Sequence, residues 1–158
     1  MTRPILLVLA LEQENHEQKL DKFADEILYT GVGKVNATYA LTQKLLQMPV
    51  KPLVINVGSA GSHSFDAGIV VCITEFIQRD MDARAMGFAL GQTPFEAHSS
   101  IEYGIAVNDL PLATCFTGDS FVTEAHPHFH LEVIDMEAYA LANVCQRLNV
   151  PFLCLKFI

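Results

Sequence analysis

Apolar and polar positions fall into blocks along this chain, and the blocks predict its elements. Residues 4–10 form an unbroken apolar run, as expected of a strand buried on both faces. Residues 12–26 are polar and predict a helix, and residues 26–31 read as a second strand. From Lys34 to Met48, the positions Val35, Thr38, Leu41, Leu45 and Met48 fall on one helical stripe, and Pro49 ends it. Residues 52–58, 68–77 and 111–118 read as further strands, the first followed by the small-residue turn Ser59-Ala60-Gly61-Ser62. Residues 131–149 pass from a short strand into a helix, with Asp135 at its cap and Asn149 near its end. Residues 150–158 form a last buried strand. Strands alternate with helices, so the class is α/β with a parallel or mixed twisted sheet. No repeat or linker interrupts the chain, so residues 1–158 read as a single domain.

Composition narrows the partners. The chain is 51% hydrophobic and 18% charged, ample for a core. Its formal net charge is -8, from 18 acidic and 10 basic side chains. That balance argues against a nucleic-acid partner or an anionic membrane surface, and no apolar stretch is long enough to span a bilayer. The N-terminal apolar run has no small-residue cleavage site, which predicts no leader peptide. Cys72, Cys115, Cys145 and Cys154 form no C-x-x-C pair and sit among apolar neighbours. Buried free thiols and a cytoplasmic location are the expectation. His126, His128 and His130 alternate, but no acidic or cysteine ligand has convincing spacing, so a polar loop rather than a metal site is predicted.

The stretch Gly31-Val32-Gly33-Lys34 opens a helix and suggests a phosphate loop. The pattern G-x-x-x-x-G-K-[ST] needs glycine and a hydroxyl where Leu28 and Val35 stand. The dinucleotide fingerprint G-x-G-x-x-G needs glycine at Asn36. Both readings fail. What is left is a strand-to-helix turn with close backbone approach, for packing or for a ligand.

Four segments are specific together: "ALEQE" (10–14), "GVGKVNA" (31–37), "INVGSAGS" (55–62) and "IDMEAYALANVCQRLNVPF" (134–152). "TGDSFV" (117–122) and "RDMDARAMGFALGQ" (79–92) add to them. The set resembles the purine nucleoside phosphorylase superfamily and, within it, the 5'-methylthioadenosine/S-adenosylhomocysteine nucleosidases. The resemblance implies a central mixed β-sheet flanked by helices, a homodimer, and no metal or organic cofactor. It implies a hydrolase that splits the N-glycosidic bond of an adenine nucleoside, releasing adenine and a 5-thio-substituted ribose. Glu14 matches the glutamate that activates water, with Glu12 as the competitor; a first-turn helix acid is the plainer alternative. Glu137 matches the carboxylate that holds the ribose hydroxyls, and Met136 would pack on the sugar. Ser59 would touch the substrate at the water end. Phe121 would stack on adenine, and the Val122 backbone would bond the base edge. Val32 would form apolar wall beside the 5' group. Met86 and Phe88 match positions around the 5'-alkylthio pocket, which the family shares between subunits.

Departures are equally specific. The family's general acid is an aspartate in a Ser-Asp pair directly after the last strand. Here that strand ends at Ile158, so the expectation is a natural polypeptide that continues, and no hydrolysis without it. Lys156 stands where the nucleosidases have arginine, keeping charge but losing the planar fork. The chain is also a compact variant, shortened after Glu14 and before residues 113 and 133. Phosphorolysis would need an arginine cluster near the glycine turns, and none is seen. Futalosine hydrolysis and non-catalytic nucleoside binding remain as alternatives.

Overall fold

The computed structural model describes residues 3–158. Among these described residues nine strands form one sheet: β1 (Ile5–Leu9), β2 (Glu26–Tyr29), β3 (Leu53–Ser59), β4 (Gly61–Ser62), β5 (Val70–Gln78), β6 (Ser100–Glu102), β7 (Leu112–Thr117), β8 (Val133–Asp135) and β9 (Phe152–Phe157). Their order is β2-β1-β3-β9-β5-β7-β8-β4, with β6 paired to β5. Pairing is parallel except for β5 with β9, β5 with β6, and β4 with β8. The sheet is therefore mixed, as expected. Two helices, α1 (Lys34–Gln47) and α2 (Ala138–Leu148), pack against each other and on the sheet.

The core follows the apolar runs. Leu6, Val8, Val54, Ile73, Phe76, Phe152 and Cys154 are buried in the strands, and Ala37, Leu41, Leu141 and Cys145 close over them from the helices. All four cysteines are free and buried. Asp135 Oδ2 accepts the Ala138 N–H at 2.8 Å at the start of α2. Asn149, in the left-handed region at φ 53°, ends it.

Two expectations are corrected. The polar stretch after β1 is not a helix but three single 3-10 turns, at Glu12–Glu14, His16–Gln18 and Asp21–Phe23. The cause is local: Glu17 and Gln18 take positive φ, and the buried Asn15 side chain bonds Asp21, Tyr29 and the Leu20 N–H. Such side-chain bonds compete with a continuous helix. The stripe on α1 is also shifted. Ala37, Leu41 and Leu45 are buried, whereas Val35 is 78% exposed.

Chain segments leaving β1, β2, β3, β7 and β8 at their carboxyl ends converge on one cavity. Open α/β sheets place ligands at such ends.

Candidate active site

The cavity measures about 380 Å³. Glu14, Val32, Ser59, Phe121, Val122, Met136 and Glu137 are among the residues that line it. Met86 and Phe88 are not among its lining residues: Met86 is 67% exposed, and Phe88 packs edge-on against Phe95. Glu12, the competitor of Glu14, does not line it either. A larger hollow of about 910 Å³ lies between residues 89–102 and α2, but its Glu96 is engaged by Arg147 at 2.7 Å.

Glu14 is held on both carboxylate oxygens. Oε2 accepts the Ala10 and Leu11 N–H groups at 2.9 and 3.2 Å. Oε1 accepts the Ser59 N–H at 3.0 Å and its hydroxyl at 3.2 Å. Four donors orient the group without a salt bridge. Gly58 leaves room for it, since a Cβ there would lie 3.1 Å from Glu14 Oε1 and 3.4 Å from Lys156 Nζ. The same geometry brings the Lys156 ammonium close to Glu14.

Glu137 enters from the N-cap of α2 and is 8% exposed. Its Oε1 accepts the Gly33 N–H at 2.9 Å. Gly33 stands at φ 94°, a conformation that side-chain-bearing residues rarely adopt, and this aims its N–H at the carboxylate. So the glycine turn that resembled a phosphate cradle holds an acid instead. Burial pushes the Glu137 carboxyl above its ordinary value; the Gly33 bond opposes this, and the charges of Asp135 and Glu14 add to it.

Beneath them lies a buried ion pair. Lys156 Nζ meets Asp135 Oδ2 at 2.9 Å, with both side chains essentially inaccessible. Burial alone would raise the Asp135 carboxyl. The Lys156 charge, the Thr117 hydroxyl at 2.6 Å and the Ala138 N–H outweigh it and hold that carboxyl below its usual range. Burial would likewise lower the Lys156 ammonium, and Asp135 reverses this.

Sequence reasoning gives two contributors no role in the site. Arg79 lines the cavity beside Ser120 and Phe121. Asp119 Oδ1 accepts the Lys34 N–H at 2.7 Å at the start of α1. Lys34 itself reaches Gln78 and Asp80 rather than the cavity. The signals for Arg79 and Asp119 were weak, because both act largely on backbone atoms. Among the described residues no cluster of three or more metal-ligating side chains occurs, and no helix is long and apolar enough to cross a membrane.

Comparison with known proteins agrees with the fold. The chain is 36% identical over 151 residues to the 5'-methylthioadenosine/S-adenosylhomocysteine nucleosidase of Anoxybacillus flavithermus, covering 82% of this chain and 65% of that protein. It is 31% identical over 163 residues to the nucleosidase of the same name from Haemophilus ducreyi, covering 90% and 70%. The chain thus spans about two thirds of the length of these relatives. Among solved structures, the Neisseria meningitidis nucleosidase in complex with methylthio-immucillin-A superposes with a TM-score of 0.82 at 24% identity, covering 98% of this chain and 84% of that one. The futalosine hydrolase of Helicobacter pylori superposes at 0.86 and 23%, covering 100% and 88%. A family profile described as the phosphorylase superfamily matches residues 27–158, and the chain belongs to that superfamily.

Proposed function

We propose that the protein hydrolyses the N-glycosidic bond of an adenine nucleoside of the 5'-methylthioadenosine or S-adenosylhomocysteine type. The observation that carries this reading is the pairing of Glu14 and Glu137 at one small cavity that also holds Ser59 and Phe121. A water against Glu14 Oε1 has the Ser59 hydroxyl as a second partner. Glu14 takes the water's proton as its oxygen bonds to C1' of the ribose, and the C1'–N9 bond breaks. Glu137 accepts the ribose hydroxyls, a bond that strengthens as the sugar gains oxocarbenium character. Adenine leaves with the electron pair and is protonated at N7. The resemblance assigns that proton to the aspartate of the family's Ser-Asp pair. Phe121, 86% exposed at the rim, offers a face for the base.

Hydrolysis is preferred to phosphorolysis because Arg79, the arginine lining the cavity, is already bonded to Gly118 and Ser120. The full-length protein is expected to release adenine from methylthioadenosine at a rate unchanged by added phosphate. A strict phosphate requirement, followed by coupled adenine detection, would refute the hydrolase reading. Binding without turnover would favour a non-catalytic homologue.

The assembly we infer is a homodimer in the cytoplasm. Met86 and Phe88 lie outside the cavity of their own chain, which suits residues supplied to a second copy. Val35, Tyr39 and Leu46 form an exposed apolar ridge on α1. Light scattering is expected to give twice the chain mass, and Tyr39→Glu to shift it toward the monomer. A monomer for the unaltered protein refutes the dimer. The four buried free thiols support a reducing compartment, which fractionation checks.

A further inference from the structure

The turn that carries Phe121 and Val122 to the cavity has little packing of its own. Phe121 is 86% exposed, and Gly118 to Ser120 form a short irregular link after β7. What holds the link is the end of β5. Arg79 donates its backbone N–H to Thr117 O at 2.9 Å, which sets the two strand ends side by side. Its guanidinium donates from Nη2 to the carbonyls of Gly118 (3.0 Å) and Ser120, and from Nη1 to the Ser120 hydroxyl at 3.0 Å. The fit is close: a Cβ on Gly118 would lie 2.7 Å from the guanidinium carbon. Asp80 completes the grip. Its Oδ2 accepts the Asp119 N–H at 2.9 Å, and its Oδ1 meets Lys34 Nζ at 2.7 Å. Asp119 in turn caps the Lys34 N–H, one residue from the Gly33 N–H that holds Glu137.

Energetics say what this arginine is for. It is 6% exposed, and among the described residues it has no carboxylate partner and its Nε has no acceptor. A buried cation with an unmet donor gives little net stability. A planar fork spanning two carbonyls and a hydroxyl of one turn gives geometry.

We propose that Arg79 is a positioning residue: it fixes the 118–120 turn so that Phe121 and Val122 meet the purine in one orientation. This rests on the function proposed above, which gives those two residues the base. Asp80 and Lys34 tie the same turn to the ribose-binding end. The base pocket and the sugar carboxylate are therefore set in one hydrogen-bonded frame.

The test has an arm that needs no activity. The chain contains no tryptophan, so Phe121→Trp introduces a single indole. Its fluorescence anisotropy without ligand is expected to fall when Arg79→Met is added, and to recover partly with Arg79→Lys, which keeps charge without the fork. In the full-length enzyme, Arg79→Met alone is expected to raise KM for methylthioadenosine about tenfold with a smaller change in kcat. The preference for methylthioadenosine over methylthioinosine is expected to shrink by a similar factor. A merely structural role would lower the active fraction and leave KM and base preference unchanged. Unchanged anisotropy overturns the proposal, whatever the kinetics. An unaltered enzyme that releases no base overturns the proposed function instead, and the indole still decides the role of Arg79.

Discussion

Glu14→Gln is expected to lower the rate of adenine release from methylthioadenosine by about 10²- to 10⁴-fold in the full-length protein, the usual span for loss of a general base. The side chain keeps its size and reach, so the nucleoside still enters. What changes is that the amide takes no proton from water. It also has only one accepting end. In the folded protein both ends accept, one from Ala10 and Leu11 and the other from Ser59. Turned toward Ala10 and Leu11 its NH₂ group faces two N–H donors; turned toward Ser59 it faces one, and the hydroxyl can rotate to accept. A stability loss of about 1–3 kcal/mol accompanies the rate loss. Single-turnover kinetics and calorimetric binding separate the two effects: binding is retained within a few-fold while the chemical step collapses. If kcat stays within tenfold of the unaltered enzyme, Glu14 is not the base.

The resemblance of the segment "ALEQE" singles out that acid, since its place after the first strand suits a plain helix acid as well, and its four donors are not legible in the sequence. Three are backbone N–H groups, and no side-chain pattern marks a backbone group as a partner. The same limit hid Arg79 and Asp119, whose main acceptors and donors are carbonyls and N–H groups of distant turns. Apolar runs such as 4–10, 68–77 and 150–158 read as strands because their short length and flanking Gly or Pro fit strands buried on both faces. The two-residue β4 and the three-residue β6 carry too few positions for any period to show. The turns after β1 were misread as a helix because composition there is helix-compatible. The deciding contact, Asn15 to Tyr29, spans two elements. Gly33 was flagged for close backbone approach, and its partner is the Glu137 carboxylate. Lys156 reads from the sequence only as standing where the nucleosidases have arginine; a lone charge in an apolar strand requires a buried partner. Which acid answers it depends on β7 and β8 joining the sheet beyond β5.

Breaking that pair is expected to be the most destabilising single change in the site. Lys156→Met removes the cation and leaves Asp135 buried beside Thr117, Cys115 and the start of α2. Loss of one partner from a buried pair costs about 3–5 kcal/mol. Its pH dependence has a definite sign. In the unaltered protein Asp135 is held below its ordinary value, so its contribution is present above about pH 3.9 and lost as pH falls through the lower folded value. Lys156 is held above its ordinary value, so its contribution is full below about pH 10.4 and lost only at higher pH. Between roughly pH 5 and pH 9 the pair therefore contributes a constant amount. In Lys156→Met, burial acts on Asp135 with only the Thr117 and Ala138 hydrogen bonds against it and raises its carboxyl, so the variant gains stability as pH falls and the carboxyl takes a proton. The deficit, measured by urea unfolding, is expected to be larger at pH 8 than at pH 5. Adding Asp135→Asn removes the orphaned charge; its one carbonyl oxygen still accepts the Ala138 N–H while its NH₂ group faces the Thr117 hydroxyl, which turns to accept, and it recovers part of the loss at pH 8. A deficit that does not vary with pH, or a double variant weaker than Lys156→Met alone, would show that packing, and not charge, is what Lys156 supplies. The consequence reaches the cavity as well. Lys156 is one of the influences that keep Glu137 from rising further, so its removal raises that carboxyl and leaves less of it ionised to accept the ribose hydroxyls.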